Sequence, residues 1–249
     1  MRPNTPLKAC FVIGTDTEVG KTRISAALLH MLKRNGFLSA GFKPVAAGTS
    51  LIDGLWVNED VRALREASAL ALSDAEVCPF QFEAACAPHI AAALQGLAID
   101  RDAILRSAQT LAARADVLVV EGVGGFRVPL GDDWDSADLA CDLKLPVVLV
   151  VGLRLGCINH ALLTAEAVRA RGLSLAGWIG NSVSPGMPWL NENVTTLQRR
   201  FQKQNIPCWG TVPWLAEPTP AAVSAHLEQA ALRAFFSSDS PSLVSSLKT

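Results

Sequence analysis

Two spacings of apolar residues alternate along this chain. An uninterrupted apolar run over residues 9–13 reads as a short buried strand, and residues 21–34 carry the spacing of an amphipathic helix. A second run, residues 39–42, leads into Lys43 and Pro44. Residues 116–120 and 146–151 are rich in valine and read as strands, a helical pattern covers about 159–171, and 175–179 and 206–212 read as the last strands. Continuous β-branched runs separated by helices predict an α/β fold: a doubly wound, mainly parallel sheet with helices on both faces. Residues 49–58 are expected to form a loop. The Ser-rich stretch 237–249 is expected to be a flexible tail. No repeat or linker interrupts the pattern, so residues 1–236 are read as a single domain.

Ligands of such sheets bind outside the carboxyl ends of the strands. Four segments fall there: after Ile13, Phe42, Val120 and Val151. The first is Gly14-Thr15-Asp16-Thr17-Glu18-Val19-Gly20-Lys21-Thr22, a phosphate-binding loop with one residue more than usual between its glycines. It makes the fold P-loop NTPase-like. Backbone N–H groups from Glu18 to Arg23 and the helix N-terminus suit the phosphates of ATP, Lys21 should reach the β- and γ-phosphates, and Thr22 should ligate Mg2+. Asp16 and Glu18 are unusual in an anion-binding loop: either a cationic group also sits here, or they cap the helix.

Glu121 ends the strand before Gly122, Val123, Gly124 and Gly125, the place of a carboxylate that binds magnesium or its water shell. The glycines permit close approach of backbone to phosphate. Asp60 taken alone reads as a helix N-cap. Lys43 ends the second strand and either faces the cleft beside Lys21 or lies solvated at the strand's end.

Length and composition narrow the rest. The chain has 249 residues, half of them hydrophobic, with a net charge of −1. That suffices for a large core. No basic stripe supports a nucleic-acid partner, and no apolar run is long enough to span a membrane. The six cysteines, at 10, 78, 86, 141, 157 and 208, lack zinc spacing. With no apolar signal core near Met1, the expected location is cytoplasmic.

Six stretches together resemble the dethiobiotin synthase family: GTDTEVGKT (14–22), AGFKPVAAG (40–48), VEGVGG (120–125), LPVVLVVGLRLGCINHALLTAEAV (145–168), LAGWIGN (175–181) and PWLAE (213–217). They run in the family's order over nearly the whole chain to about residue 235. The resemblance implies a ligase that carboxylates 7,8-diaminononanoate with CO2 or bicarbonate and closes a cyclic urea at the expense of ATP. It implies Thr22, Asp60 and Glu121 on Mg2+, Lys21 and Lys43 at the reacting groups, and Thr17 near the substrate amines or carbamate. Asn181 and Ser182, with Pro213, Trp214 and Leu215, match the base-binding segments. Taken alone, Asn181 reads as a turn residue and Trp214 as core packing. Gly156, Cys157, Ile158 and Asn159 match the segment that holds the substrate's tail carboxylate across a homodimer interface; Asn159 also reads as an N-cap. His160 reads as a packed helix residue, and no chemical task is evident for His89.

The chain departs from the family at Ala47, where a serine hydroxyl usually contacts substrate, and near Asn193, where a tyrosine is usual; this chain contains no tyrosine. Thr49 and Ser50 are the hydroxyls nearest Ala47 in sequence. Two other classes fit the P-loop. A glutamine-dependent ligase needs a further domain for which no room remains. A switch-type ATPase commonly carries a second lysine early in the loop, and Asp16-Thr17-Glu18 holds none.

Overall fold

The computed structural model describes residues 8–52 and 54–237. In chain order the elements are β1 (Lys8–Gly14), α1 (Lys21–Arg34), β2 (Ser39–Phe42), β3 (Val45–Ala47), β4 (Ser50–Ile52), β5 (Leu55–Val57), α2 (Glu59–Ala67), α3 (Asp74–Val77), β6 (Phe80–Phe82), α4 (Pro88–Leu94), α5 (Arg101–Ala112) and β7 (Val117–Glu121). They continue with α6 (Ser136–Leu143), β8 (Val147–Leu153), α7 (Cys157–Ala170), β9 (Leu175–Ser182), α8 (Leu190–Gln202), β10 (Cys208–Val212), α9 (Pro220–Ser224) and α10 (Gln229–Ser237).

Six strands form one sheet in the order β10-β9-β8-β1-β7-β2, and every neighbouring pair is parallel. All residues of β1, β7 and β8 are buried, because helices cover both faces. The period of two sorts them. Ala9, Phe11 and Ile13 join Leu118, Val120, Leu149 and Val151 in one core, closed by Ile104 of α5, Leu139 of α6, Ala161 of α7 and Leu197 of α8. Cys10 and Val12 join Val117, Val119, Val148 and Val150 in the other, closed by Ile24 and Leu28 of α1, Leu64 of α2, Val223 of α9 and Phe236 of α10. The expected doubly wound parallel sheet is therefore present.

Several local expectations change. Residues 49–58 are not a structureless loop: β4 and β5 form an antiparallel hairpin, with Leu51 opposite Trp56 and both exposed. The helix cap beyond it is Asn58, whose Oδ1 accepts the Val61 N–H at 3.1 Å, so Asp60 lies in the first turn of α2 and does not cap it. Helix α7 starts at Cys157 with Gly156 as its cap, which places Asn159 inside the first turn. His160 is exposed on that helix instead of packed. Asn181 lies inside β9, not in a turn after it. β10 begins at Cys208, two residues later than the pattern suggested. Of the expected flexible tail, Ser237 ends α10 and residues 238–249 lie outside the described residues.

Candidate active site

The carboxyl ends of β1, β2, β7 and β8 lie along one edge of the parallel sheet and bring together segments distant in sequence. β1 ends at Gly14, and the chain turns through the loop into α1. Gly14 has no room for a side chain: a Cβ there would lie 2.7 Å from Val19 Cγ2 and 2.8 Å from the Asp16 carbonyl. Gly20 closes the loop at φ 90°, the left-handed region, and no side chain caps α1. Asp16 and Glu18 are therefore not caps. The N-terminal amides of α1 are left for a ligand.

Lys21 curls back over the loop and donates from Nζ to the Asp16 carbonyl at 3.0 Å. Its ammonium is buried, and burial, followed by the nearby Lys43 charge, lowers its pKa to about 8. Lys43 is 3% exposed, which rules out a solvated strand-end lysine. Its Nζ lies 2.7 Å from Glu121 Oε1 and 3.0 Å from Asp60 Oδ2. Burial works against its charge, but Glu121 and Asp60 outweigh burial and raise its pKa. Asp60 is partly buried, which opposes its charge, yet Lys43 and the Thr22 hydroxyl hold its carboxyl below the usual range.

Thr22 Oγ1 sits 2.7 Å from Asp60 Oδ1 and 2.8 Å from Glu121 Oε1. One hydroxyl carries one proton and can donate to only one of these oxygens at a time. Glu121 is fully buried, and its Oε2 has no hydrogen-bond partner. The Lys43 ammonium supplies the proton that Glu121 Oε1 lacks, which leaves Glu121 Oε2 as the buried carboxylate oxygen without a partner. This donor set of hydroxyl and carboxylates is what a hard divalent cation such as Mg2+ takes. Thr22, Asp60 and Glu121, brought together from α1, α2 and β7, fit the ion.

The remaining expected residues fall as follows. Gly122 donates its N–H to the Val12 carbonyl at 2.9 Å, and a Cβ on Gly124 would lie 3.6 Å from Thr17 Oγ1, so the turn after β7 lies against the phosphate loop. Val123 in that turn is half-buried, while Thr17, Glu18 and Arg23 are exposed. Asn181 Nδ2 donates to the Val19 carbonyl at 2.9 Å. One of the two amide hydrogens is spent on the loop, which leaves the other N–H and the Oδ1 acceptor of Asn181 for a base. Ser182 Oγ is buried without a partner. Pro213 and Trp214 are exposed, with Trp214 at 45%, so core packing does not account for this indole; Leu215 is half-buried. Ala47 ends β3 opposite Phe82, and Thr49 Oγ1 nearby is a buried oxygen without a partner. At the start of α7, Cys157 and Ile158 are buried and half-buried, Gly156 and Asn159 are exposed, and Cys157 Sγ lies 4.0 Å from Asn193 Oδ1.

Two contributors escaped the sequence. Arg154, at the exit of β8, pairs with Asp16 and ties the phosphate loop to the segment leading into α7. Asn58 caps α2 and also donates from Nδ2 to the Gly48 carbonyl at 2.6 Å, which fixes the hairpin beside Asp60. An N-cap signal preceded the acidic pair Glu59-Asp60 and marks Asn58; nothing local marks Arg154.

The parallel sheet, the glycine-bounded loop opening α1 and the acidic cluster beside it define a P-loop nucleotide-binding protein. The MinD cell division protein of Aquifex aeolicus has the same fold: TM-score 0.53, 13% identity, covering 94% of this chain and 99% of that one. A family model described as an AAA domain matches residues 8–222. Two relatives are much closer in sequence, both ATP-dependent dethiobiotin synthetases. That of Aromatoleum aromaticum is 52% identical over 223 residues, covering 90% of this chain and 98% of its own length. That of Janthinobacterium sp. is 51% identical, covering 88% and 93%. The chain belongs to the ATP-dependent dethiobiotin synthetase family.

Proposed function

We propose that this chain catalyses the ATP- and Mg2+-dependent conversion of 7,8-diaminononanoate and CO2 into dethiobiotin, a step of biotin biosynthesis. Support comes from the near-full-length identity to synthetases and from one observation above others: two lysines, a threonine hydroxyl and two carboxylates from four separate segments meet at the phosphate loop. One substrate amine adds to CO2 and loses a proton, giving a carbamate. A carbamate oxygen takes the γ-phosphoryl group of ATP. The second amine attacks the activated carbonyl carbon, phosphate leaves, and the cyclic urea closes. Carbamate and triphosphate together concentrate negative charge. The loop amides and Lys21 offset it with groups already in place, where electrostatic stabilisation is strongest, and the Lys43 ammonium adds its charge beside them. When bound, Mg2+ supplies further charge neutralisation at the phosphates, held by Thr22, Asp60 and Glu121.

Asn181 Oδ1 suits the exocyclic amine of adenine, with Ser182 beside it, and the exposed Trp214 between Pro213 and Leu215 suits the face of a base. On this reading Thr17 and Ala47 line the diamine site. The residues 156–159 at the start of α7 receive the substrate carboxylate from a second protomer, as a homodimer requires. On this reading the enzyme works in the cytoplasm. Among the described residues no helix is long and apolar enough to cross a membrane. The test is phosphate release from ATP with bicarbonate and Mg2+, with and without the diamine. Release that needs the diamine supports a ligase; equal release without it identifies a switch-type ATPase.

A further inference from the structure

Lys43 occupies the seat that the acidic cluster offers to a cation. Its ammonium bridges Glu121 Oε1 and Asp60 Oδ2, while Thr22 Oγ1 approaches Glu121 Oε1 and Asp60 Oδ1 from the other side. No other lysine reaches these oxygens among the described contacts, because Lys21 Nζ is turned to the Asp16 carbonyl. The backbone of Lys43 is fastened by its N–H to the Val77 carbonyl at 2.8 Å, so a change at this point falls to the four-carbon side chain. A dication bound by the same carboxylates has an ammonium at hydrogen-bond distance from its ligands, and the two charges repel strongly in so buried a place.

Resting on the metal-dependent reading above, we propose that Lys43 is a built-in stand-in for the divalent ion: its ammonium neutralises Asp60 and Glu121 while the site is empty, and cation binding displaces it from between them. Glu121, fully buried beside the partly exposed Asp60, would otherwise carry an uncompensated charge in the core, which is costly. Exchange makes neutralisation continuous. It also makes metal binding weak in the resting protein, because every bound ion must first expel a paired ammonium. A nucleotide relieves this by offering the displaced ammonium a new anionic partner. Magnesium and nucleotide therefore bind cooperatively through a lysine that each of them repositions.

The probe is Mn2+ alone, without nucleotide or diamine, with free ion counted by electron paramagnetic resonance. Removing the competitor in Lys43→Met should tighten Mn2+ binding by about ten-fold or more relative to the unaltered chain. Equal or weaker binding by a folded Lys43→Met would overturn the exchange. If that variant does not fold, the unaltered chain provides the second reading: the rate of reductive methylation at Lys43, followed by mass spectrometry. Saturating Mn2+ should raise that rate several-fold, and an unchanged rate overturns the proposal. Neither measurement involves the diamine or turnover, so a protein that fails the ligase test yet shows the metal effects would refute the activity and leave the exchange standing.

Discussion

Gly20 and Asn181 lie 161 positions apart in sequence, yet they press on the same atoms. A Cβ at Gly20 would lie 2.3 Å from Asn181 Nδ2, the donor that holds the Val19 carbonyl at 2.9 Å. In Gly20→Ala two costs combine. The left-handed backbone costs an L-residue about 1–2 kcal/mol. Pushing Asn181 away leaves the Val19 carbonyl without its partner, about 1–3 kcal/mol. The single variant should therefore lose roughly 2–5 kcal/mol. Asn181→Ala removes the same hydrogen bond and should lose about 1–3 kcal/mol. The bond can be lost only once. The double variant should fall short of the summed losses by about 1–3 kcal/mol. Urea unfolding of the nucleotide-free chain, with midpoints compared at a common m-value, measures all four corners of the cycle. Additivity to within about 0.5 kcal/mol would refute the claim that Asn181 props the phosphate loop.

Two other outcomes follow from the same geometry. The lowered Lys21 pKa, about 8, means that the folded chain binds fewer protons than the unfolded one between there and the ordinary lysine value, so this group adds stability as pH rises through that window. ATP restores its charge, so binding at pH 8 should take up about half a proton, read as buffer-dependent enthalpy in calorimetry; an enthalpy independent of buffer would contradict it. Gly152→Ala would place Cβ 2.7 Å from Val19 Cγ1 in a fully buried strand, and thermal melts should show a loss of about 1–3 kcal/mol, together with weaker nucleotide binding because the loop is displaced.

How much of this the sequence carried depends on the range of each signal. The sheet was legible because β1, β7 and β8 are buried on both faces and so lack polar interruptions. The loop and Glu121 were legible because phosphate and metal chemistry demand those residue types at strand ends. The hairpin at 50–57 was missed: its strands are three residues each and its exposed Leu51–Trp56 pair follows no core-facing alternation. Asp60 carries no local sign of its place beside Thr22, since that place depends on Asn58 capping α2 and turning its first residues toward Thr22. Arg154 was invisible for the same reason, since its partner Asp16 lies 138 positions away. The hold of Asn181 on the Val19 carbonyl depends on β9 lying beside β8 near the phosphate loop, which only the strand order reveals.

The central claim is that this cleft joins carbon from bicarbonate to a diamine with ATP as the driving reagent. Supplying isotopically labelled bicarbonate with 7,8-diaminononanoate, Mg2+ and ATP, and following carbon by NMR and phosphate by colorimetry, tests it in a single tube. The account predicts label in a cyclic urea carbonyl, one phosphate released for each carbon incorporated, and neither product when any reactant is omitted. Phosphate released without label in a urea, or at the same rate without the diamine, would contradict it.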